Sequence, residues 1–401
     1  MIASAPWIDA AAAARRLGVS RTTLYAYVSR GYLRSQPSPG SSRQRMYSTD
    51  DVERLRRRTE ERRAPDKAAA RALQWGMPIL ESAIALIDGR HLYYRGMDAA
   101  RLARSHALED VAALIWMGRI DAPRAVPKIP AIAAAGWRDV PFVPRAQGIL
   151  AAAAARDPAA MDLRQAGVAA TGWRILRLLT RAATLRDAAG APVDAALARA
   201  WNVRRDGAAI LRAALVLCAD HELNVSSFTA RCVASAGSHP YAVVLAGLSA
   251  LEGPRHGGAS ARVESMLTAM RQARPLRAAV EARLRRGEPI EGFGHPLYRD
   301  GDPRARLLLD LLGERCAKSA EYRFVRDFAD AAAAVTGEHP NVDFGLAAVG
   351  RGLNLPAGSP LALFAIGRSV GWIGHAIEQY ETGQLIRPRA KYVGVPPAAP
   401  A

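Results

Sequence analysis

Apolar positions along this chain recur at helical spacing far more often than they alternate. Segments near 108–118, 146–155, 168–184, 208–218, 227–237, 241–252, 261–272, 304–312, 323–335 and 360–380 are the clearest helices, separated by Gly and Pro. Alternating β-branched runs are few, so the pattern predicts a mainly α fold. The 119–165 stretch is harder to place and is assigned no chemistry. No repeat of fixed period is evident.

The first seventy residues follow a different plan. Asp9 is placed to cap a helix through Leu17 that Gly18 ends, and Ser20 to cap a second from Arg21 to about Ser29 that Gly31 ends. Leu17, Val19, Leu24, Val28 and Leu33 supply a small core, while Arg21, Thr22, Tyr25 and Ser29 line the opposite face, the one a major groove would read. Ser35–Ser48 reads as a Pro/Ser/Gly-rich hairpin with Arg43 and Arg45 near its tip, and Asp50 as the cap of an Arg-rich helix. This segment, with its run Arg30-Gly-Tyr-Leu33, resembles the winged helix-turn-helix of the MerR and excisionase families. The resemblance implies DNA contacts from Arg21, Thr22, Tyr25, Arg43 and Arg45. A small dimerisation or docking module with a solvated basic face is the competing reading.

Composition supports the division. The chain has 401 residues, enough for two or three domains; half are hydrophobic, only 6% are aromatic, and alanine is abundant. That favours helices with small side chains at their contacts and makes an all-β architecture improbable. Basic residues outnumber acidic ones 55 to 37, a net +18, and residues 1–71 carry fifteen Arg/Lys against seven acids. Nearly half of the excess charge therefore sits in under a fifth of the chain, and the balance suits anionic partners. A charged hinge around Arg62-Arg63-Ala-Pro-Asp-Lys67 comes next, placing the first domain at 1–63 and a linker at 64–76. Cys218, Cys232 and Cys316 are too few and too scattered for a disulfide framework or a cysteine zinc site, which fits a reducing cytoplasm. No apolar leader and no run of about 18 apolar residues occurs, so the sequence reads as neither secreted nor membrane-spanning.

Four clusters stand out in the second half: Cys218-Ala-Asp-His-Glu-Leu-Asn224, Gly253-Pro-Arg-His-Gly-Gly-Ala259, Gly292-Phe-Gly-His-Pro-Leu-Tyr-Arg-Asp-Gly-Asp-Pro-Arg304, and Pro340-Asn-Val-Asp-Phe344. Three histidines and an aspartate, expected on loops and joined by several arginines, meet the needs of acid–base chemistry on an anionic substrate. Arginine matches a carboxylate with two parallel hydrogen bonds, so a di- or tricarboxylic acid is the natural guess. Taken singly, a loop histidine is more often a surface or core residue, and an Asp after Pro-Asn is usually a helix cap. No His-x-x-x-His or similar pair supports a metal.

In this order and spacing the clusters resemble the citrate synthase family, from about Met77 to Tyr392. Ile87-Asp-Gly-Arg-His-Leu-Tyr-Tyr-Arg-Gly96 is similar to its N-terminal motif; Leu248 to Gly258, Leu363-Phe-Ala-Ile-Gly-Arg368 with Gly371, Trp372 and His375, and Arg387-Pro-Arg389 complete the match. The resemblance implies an all-helical homodimer with a large domain (77–256 and 343–401) and a small one (257–342) that closes over substrate. It implies condensation of acetyl-CoA or propionyl-CoA with oxaloacetate, with acyl-CoA as co-substrate and neither cofactor nor metal. Asp343 would be the base, His256 the stabiliser of the enol, and His295 the acid at the oxaloacetate carbonyl. His221, Arg304 and Arg368 would hold oxaloacetate, Arg387 would reach it from the partner subunit, and Arg299 would meet CoA phosphate.

Independently of the family, Arg368, Trp372 and His375 lie at offsets that share a helix face. His375 is expected to pack in the core. Four departures are visible: Cys218 where many bacterial relatives have His, Ser260 where Asn is common, Gly345-Leu346-Ala347 in place of more polar residues, and Asp157-Pro-Ala-Ala-Met-Asp162, only loosely similar to the family's His-Pro-Met segment. An alternative function is a DNA-binding regulator whose synthase-like part senses an acyl-CoA or carboxylate.

Overall fold

A computed structural model describes residues 7–38, 41–63, 80–122, 136–186, 190–298, 300–390 and 392–395, with side chains for all of these except 41–43 and 57–63. The chain divides into two compact units, Met1–Glu81 and Ser82–Ala401.

In the first unit the caps fall where the sequence places them. Asp9 accepts from Ala12 N and Gly18, in the left-handed region, ends the helix Ala10–Leu17; Ser20 accepts from Thr23 N at the start of Arg21–Ser29. The third helix differs. It runs from Thr49 to Arg63, and Ser48 Oγ, not Asp50, accepts from the first-turn amide of Asp51. Asp51 is instead drawn inward to Arg34, whose Nε donates to it at 2.8 Å. The hairpin forms from strands Ser35–Ser38 and Ser41–Ser48, and a further strand, Trp7–Asp9, completes an antiparallel sheet with Ser41–Ser48 in the middle. Leu17, Leu24 and Leu33 close a core with Ala13, Tyr47 and Val52.

The second unit is a helical assembly around one core. Most of the expected helices form; Ala99–Ser105, Val193–Ala200, Leu276–Arg285 and Val342–Gly352 add to them. A three-stranded sheet of Ala85–Ile87, Leu92–Tyr94 and Met97–Asp98 is anchored by Tyr94, whose buried hydroxyl donates to Val216 O at 3.0 Å. The 119–165 stretch contributes the helix Phe142–Ala154 and a short 3-10 turn at Pro158–Met161, preceded by buried Asp157, which pairs with Arg174 at 2.6 Å.

The helix Ser359–Thr382 is buried on nearly every side, as its lack of a polar face dictates. Glycine decides how close it comes to its neighbours. A Cβ on Gly371 would lie 2.4 Å from Asp220 Oδ1 and 2.5 Å from Ala219 O, nearer than van der Waals contact allows. Gly371 N donates to Ala219 O at 2.9 Å across that contact. The 218–226 segment, which carries His221, is thereby laid against the middle of the long helix. Among the described residues no helix is long and apolar enough to cross a membrane.

Candidate active site

The shared face of the long helix builds one wall of the site. Arg368 Nε donates to Cys218 O at 2.8 Å, Trp372 Nε1 to Ser226 Oγ at 3.1 Å, and His375 Nε2 lies 3.1 Å from Asp220 Oδ1. All three side chains thus end on the 218–226 segment. His375 is fully buried, in line with a core position. Ser226 also approaches His256 Nε2 at 2.8 Å. The His256 ring meets Phe364 edge-on at 5.8 Å, and the Arg368 guanidinium covers the same phenyl ring at 4.8 Å. Cys218, the residue in place of a common histidine, offers Arg368 its carbonyl while its thiol is buried and pushed up to about 12 by desolvation.

The opposite wall depends on backbone stitching between two loops. Gly294 N donates to His339 O and Asn341 N to Gly292 O, both at 2.8 Å, with an isolated bridge between Phe293 and Pro340. Gly292 lies in the left-handed region, and a Cβ there would meet Val263 at 2.8 Å, so the loop that carries His295 needs glycine at this point. Asn341 then caps the helix Val342–Gly352, accepting from Asp343 N at 3.0 Å, while its Nδ2 donates to Gly294 O. Asp343 is therefore in the first turn of a helix, not in a loop, and Asn341 is the cap. Gly345, a departure at sequence level, has a structural reason. A Cβ there would sit 3.0 Å from Ala305 Cα, so glycine lets the Asp343 helix lie against the helix Pro303–Cys316 that carries Arg304.

His221 Nε2 lies 3.0 Å from the Tyr298 hydroxyl, and the His221 and His295 rings meet edge-on at 5.1 Å. Leu297 N donates to His295 Nδ1 at 3.1 Å, so the proton of a neutral His295 is on Nε2. Arg304 is fully buried against Asp302, which accepts from its Nε at 2.9 Å and from a terminal nitrogen at 2.7 Å, and also from Val342 N at 3.0 Å. The carboxylate of Asp302 thus links the Arg304 helix to the Asp343 helix. Ser260 donates its hydroxyl to Asp343 Oδ1 at 2.7 Å.

Electrostatics separates the groups into three kinds. Burial, with the charges of Arg304 and Arg368, drives His221 far below the ordinary imidazole range. Burial holds His256 down to about 4, helped by Arg368, and His295 to about 4, helped by Arg304. All three imidazoles are neutral near pH 7. Desolvation raises Asp343, opposed by the Ser260 hydrogen bond and by Arg304. Burial works against the charge of Arg304, but Asp302 more than offsets it, whereas burial lowers Arg368. Arg368, Arg304 paired with Asp302, and neutral imidazole donors suit an anionic ligand, and Asp343 is the carboxylate that burial moves toward the range of a base.

Of the residues singled out in the sequence, His221, His256 and Arg368 belong to one wall, His295 and Arg304 to the other, His221 meets His295 and Tyr298 across them, and Asp343 is tied to Arg304 through Asp302. Arg387 is exposed in the extended segment after the long helix and bonds to no described residue. Arg299 lies outside the described residues. Arg21, Thr22, Tyr25 and Ser29 are all exposed on their helix, and Arg45 stands on its strand, as does Arg43. Ser226, Ser260, Tyr298, Asp302 and Asn341 were not assigned a role from sequence. Only Ser260 carried a signal, as a departure, and Asp302 a weak one, as an Asp before Pro at a helix start.

A family model described as citrate synthase, C-terminal domain, matches residues 72–389, and one described as helix-turn-helix domain matches residues 7–59. Citrate synthase 2 of Bacillus subtilis is 40% identical over 184 residues, 45% of this chain and 50% of that protein. The 2-methylcitrate synthase of Shewanella oneidensis is 34% identical over 192 residues, 47% of this chain and 51% of that protein. The matched stretch thus spans about half the length of these curated relatives. The crystal structure of citrate synthase from Thermotoga maritima superposes with a TM-score of 0.67 at 25% identity, covering 81% of this chain and 96% of that one. The ternary complex of carboxymethyl coenzyme A and oxaloacetate with citrate synthase from Thermoplasma acidophilum gives a TM-score of 0.69 at 24% identity, covering 83% and 98%, a likeness of fold. With the family match running from residue 72 to residue 389 over this helical architecture, the chain belongs to the citrate synthase family.

Proposed function

We propose that this protein condenses an acyl-CoA, acetyl or propionyl, with oxaloacetate and hydrolyses the thioester, forming citrate or 2-methylcitrate and free CoA. The observation that carries the reading is a desolvated Asp343 that accepts from Ser260, on a helix joined through Asp302 to buried Arg304, in a unit whose His221, His256 and His295 are held neutral by burial. The Thermoplasma acidophilum complex, with its CoA analogue and oxaloacetate, supports the choice of substrates.

Asp343 takes a proton from the carbon next to the thioester carbonyl. Charge develops on the thioester oxygen, where His256 donates a hydrogen bond; neutral donors aimed at developing charge are usually the largest catalytic contribution. Ser226 has one hydroxyl proton and two acceptors within 2.8 Å, Asn224 Oδ1 and His256 Nε2. Turned toward His256, that proton leaves the imidazole hydrogen on Nδ1 for the enol oxygen. The new carbon–carbon bond forms at the oxaloacetate keto carbon, and His295 Nε2 protonates the oxygen there. Arg304, Arg368 and His221 hold the carboxylates, Arg387 completes the set from the partner subunit of a homodimer, and Arg299 meets CoA phosphate. Residues 257–342 form the small domain that closes over a large domain of 77–256 and 343–401. No cofactor is invoked, and a cytoplasmic location belongs to the same proposal. Thiol release from acyl-CoA and oxaloacetate tests it: purified protein should turn over, and Asp343→Ala should lose at least a thousandfold in kcat. Inactivity of the unaltered protein with every acyl-CoA tried would refute the reading.

A second reading concerns the N-terminal unit, which pairs a helix-turn-helix match with an outward face of Arg21, Thr22, Tyr25 and Ser29. That face would enter a major groove, with Arg43 and Arg45 of the hairpin on phosphates, making the protein a DNA-binding regulator that senses its ligand. Selection from genomic fragments should recover a sequence preference, and affinity should fall steeply with salt. Absence of any preference, with and without oxaloacetate and acyl-CoA, would leave the unit as a docking module.

A further inference from the structure

We propose that Ser260 is a positioning residue for Asp343, its hydroxyl occupying Oδ1 so that Oδ2 is left as the oxygen that accepts the substrate proton. The inference rests on the reading of Asp343 as the base. Ser260 is the third residue of the helix Gly258–Met270 and is fully buried. A helical Ser or Thr often returns its hydroxyl to the carbonyl four residues back. Ser105, Thr229, Ser249 and Thr268 all do so here, bonding Arg101 O, Val225 O, Leu245 O and Glu264 O. Ser260 instead reaches across to another helix and donates at 2.7 Å to Asp343 Oδ1. Asp343 Oδ2 receives no hydrogen bond from a described residue, and Asp343 lines a cavity of about 470 Å³ together with Ala259, Arg262, Ile290, Phe293 and Asn341.

A short hydrogen bond to a carboxylate is among the stronger ones and favours the charged form. Here it opposes desolvation, which would otherwise leave more of the base protonated and idle. Serine also suits a closed space. Its hydroxyl delivers one donor to Asp343 with no second polar group to satisfy, whereas the Asn common at this position would bring a carbonyl oxygen needing its own donor.

The test is the pH profile of kcat/KM for acyl-CoA condensation in Ser260→Ala, Ser260→Cys and Ser260→Thr. Loss of the donor in Ala, and its weakening to a thiol in Cys, should move the acidic limb up, by about one unit for Ala, so that the rate on that limb falls up to about tenfold while the loss narrows on the plateau above it. KM for oxaloacetate should stay within about twofold, and Thr, which keeps the hydroxyl, should retain the original limb. The near-isosteric Cys variant keeps the question answerable if Ala does not fold. An unmoved limb in folded Ala or Cys variants, with an equal loss at every pH, overturns the role of Ser260 alone. An inactive unaltered protein, or an Asp343→Ala variant that keeps its rate, overturns the base and with it this inference.

Discussion

Replacing Asp302 by Ala removes four hydrogen bonds at once: those from Arg304 N, Nε and a terminal nitrogen, and that from Val342 N. Both side chains of the ion pair are almost fully buried, at 0% and 3% exposure, so the guanidinium has no water to turn to. Leaving one member of a buried pair uncompensated costs about 3–5 kcal/mol. The lost cap adds about 1 kcal/mol, and an orphaned Val342 amide about 1–3 kcal/mol. These contributions share atoms and do not add fully, so a net loss of about 4 kcal/mol is expected. Asp302→Asn keeps an acceptor for the cap or for Val342 and loses the charge, and should fall between the two. Urea unfolding monitored by tryptophan fluorescence reads the difference, since Trp116 and Trp372 are buried in the same unit. On the proposed function, oxaloacetate should stabilise the Ala variant by a larger increment than the unaltered protein, its carboxylate serving as the counter-ion that Arg304 would lack. A loss below about 1 kcal/mol in Asp302→Ala would refute the argument that this carboxylate sustains the Arg304 charge and joins the two helices.

Two more outcomes are expected on the same structural grounds. His256 and His295 titrate near 4 when folded against an ordinary 6.5, so their contribution to stability is complete above about pH 6.5 and is lost as pH falls toward 4. At pH 5 each should cost about 2 kcal/mol relative to pH 7; His256→Gln with His295→Gln should flatten that acid slope in urea titrations, and an unchanged slope would refute it. Gly371→Ala should destabilise by about 1–3 kcal/mol by thermal unfolding, although Ala is the better helix former by about 1 kcal/mol, because the added carbon meets Asp220 and Ala219 at 2.4–2.5 Å. A raised midpoint would show that the contact has room.

Local features were the most legible in the sequence. Asp9, Gly18 and Ser20 punctuate the first helices as read, and the outward face of Arg21, Thr22, Tyr25 and Ser29 comes from helical spacing alone. Asp50 misled, because two acids stand in the same first turn and the preceding Ser48 does the capping while Asp51 turns to Arg34. Ala99–Ser105 is too short, and Leu276–Arg285 too charged, for a clear apolar stripe. In the site, family motifs single out the histidines, Arg304, Arg368 and Asp343 for the proposed roles, and the common face of Arg368, Trp372 and His375 was legible through helical spacing. The partners that hold them were not. Gly294 N on His339 O is a backbone contact that leaves no trace in side-chain pattern, and Ser260 and Asp343, 83 residues apart, meet only because two helices cross.

The place of Asp343 in the first turn of the helix Val342–Gly352 bears on the fate of the captured proton. The aligned peptide dipoles at that end favour a negative charge by about 0.3–1 kcal/mol, more where the site is partly dry. That preference vanishes the moment the carboxyl is neutral. In the proposed reaction the field of this eleven-residue helix would favour the charged, receptive form of the carboxylate, acting against the desolvation that raises it. The helix that orients the carboxylate would then also help to reset it between turnovers.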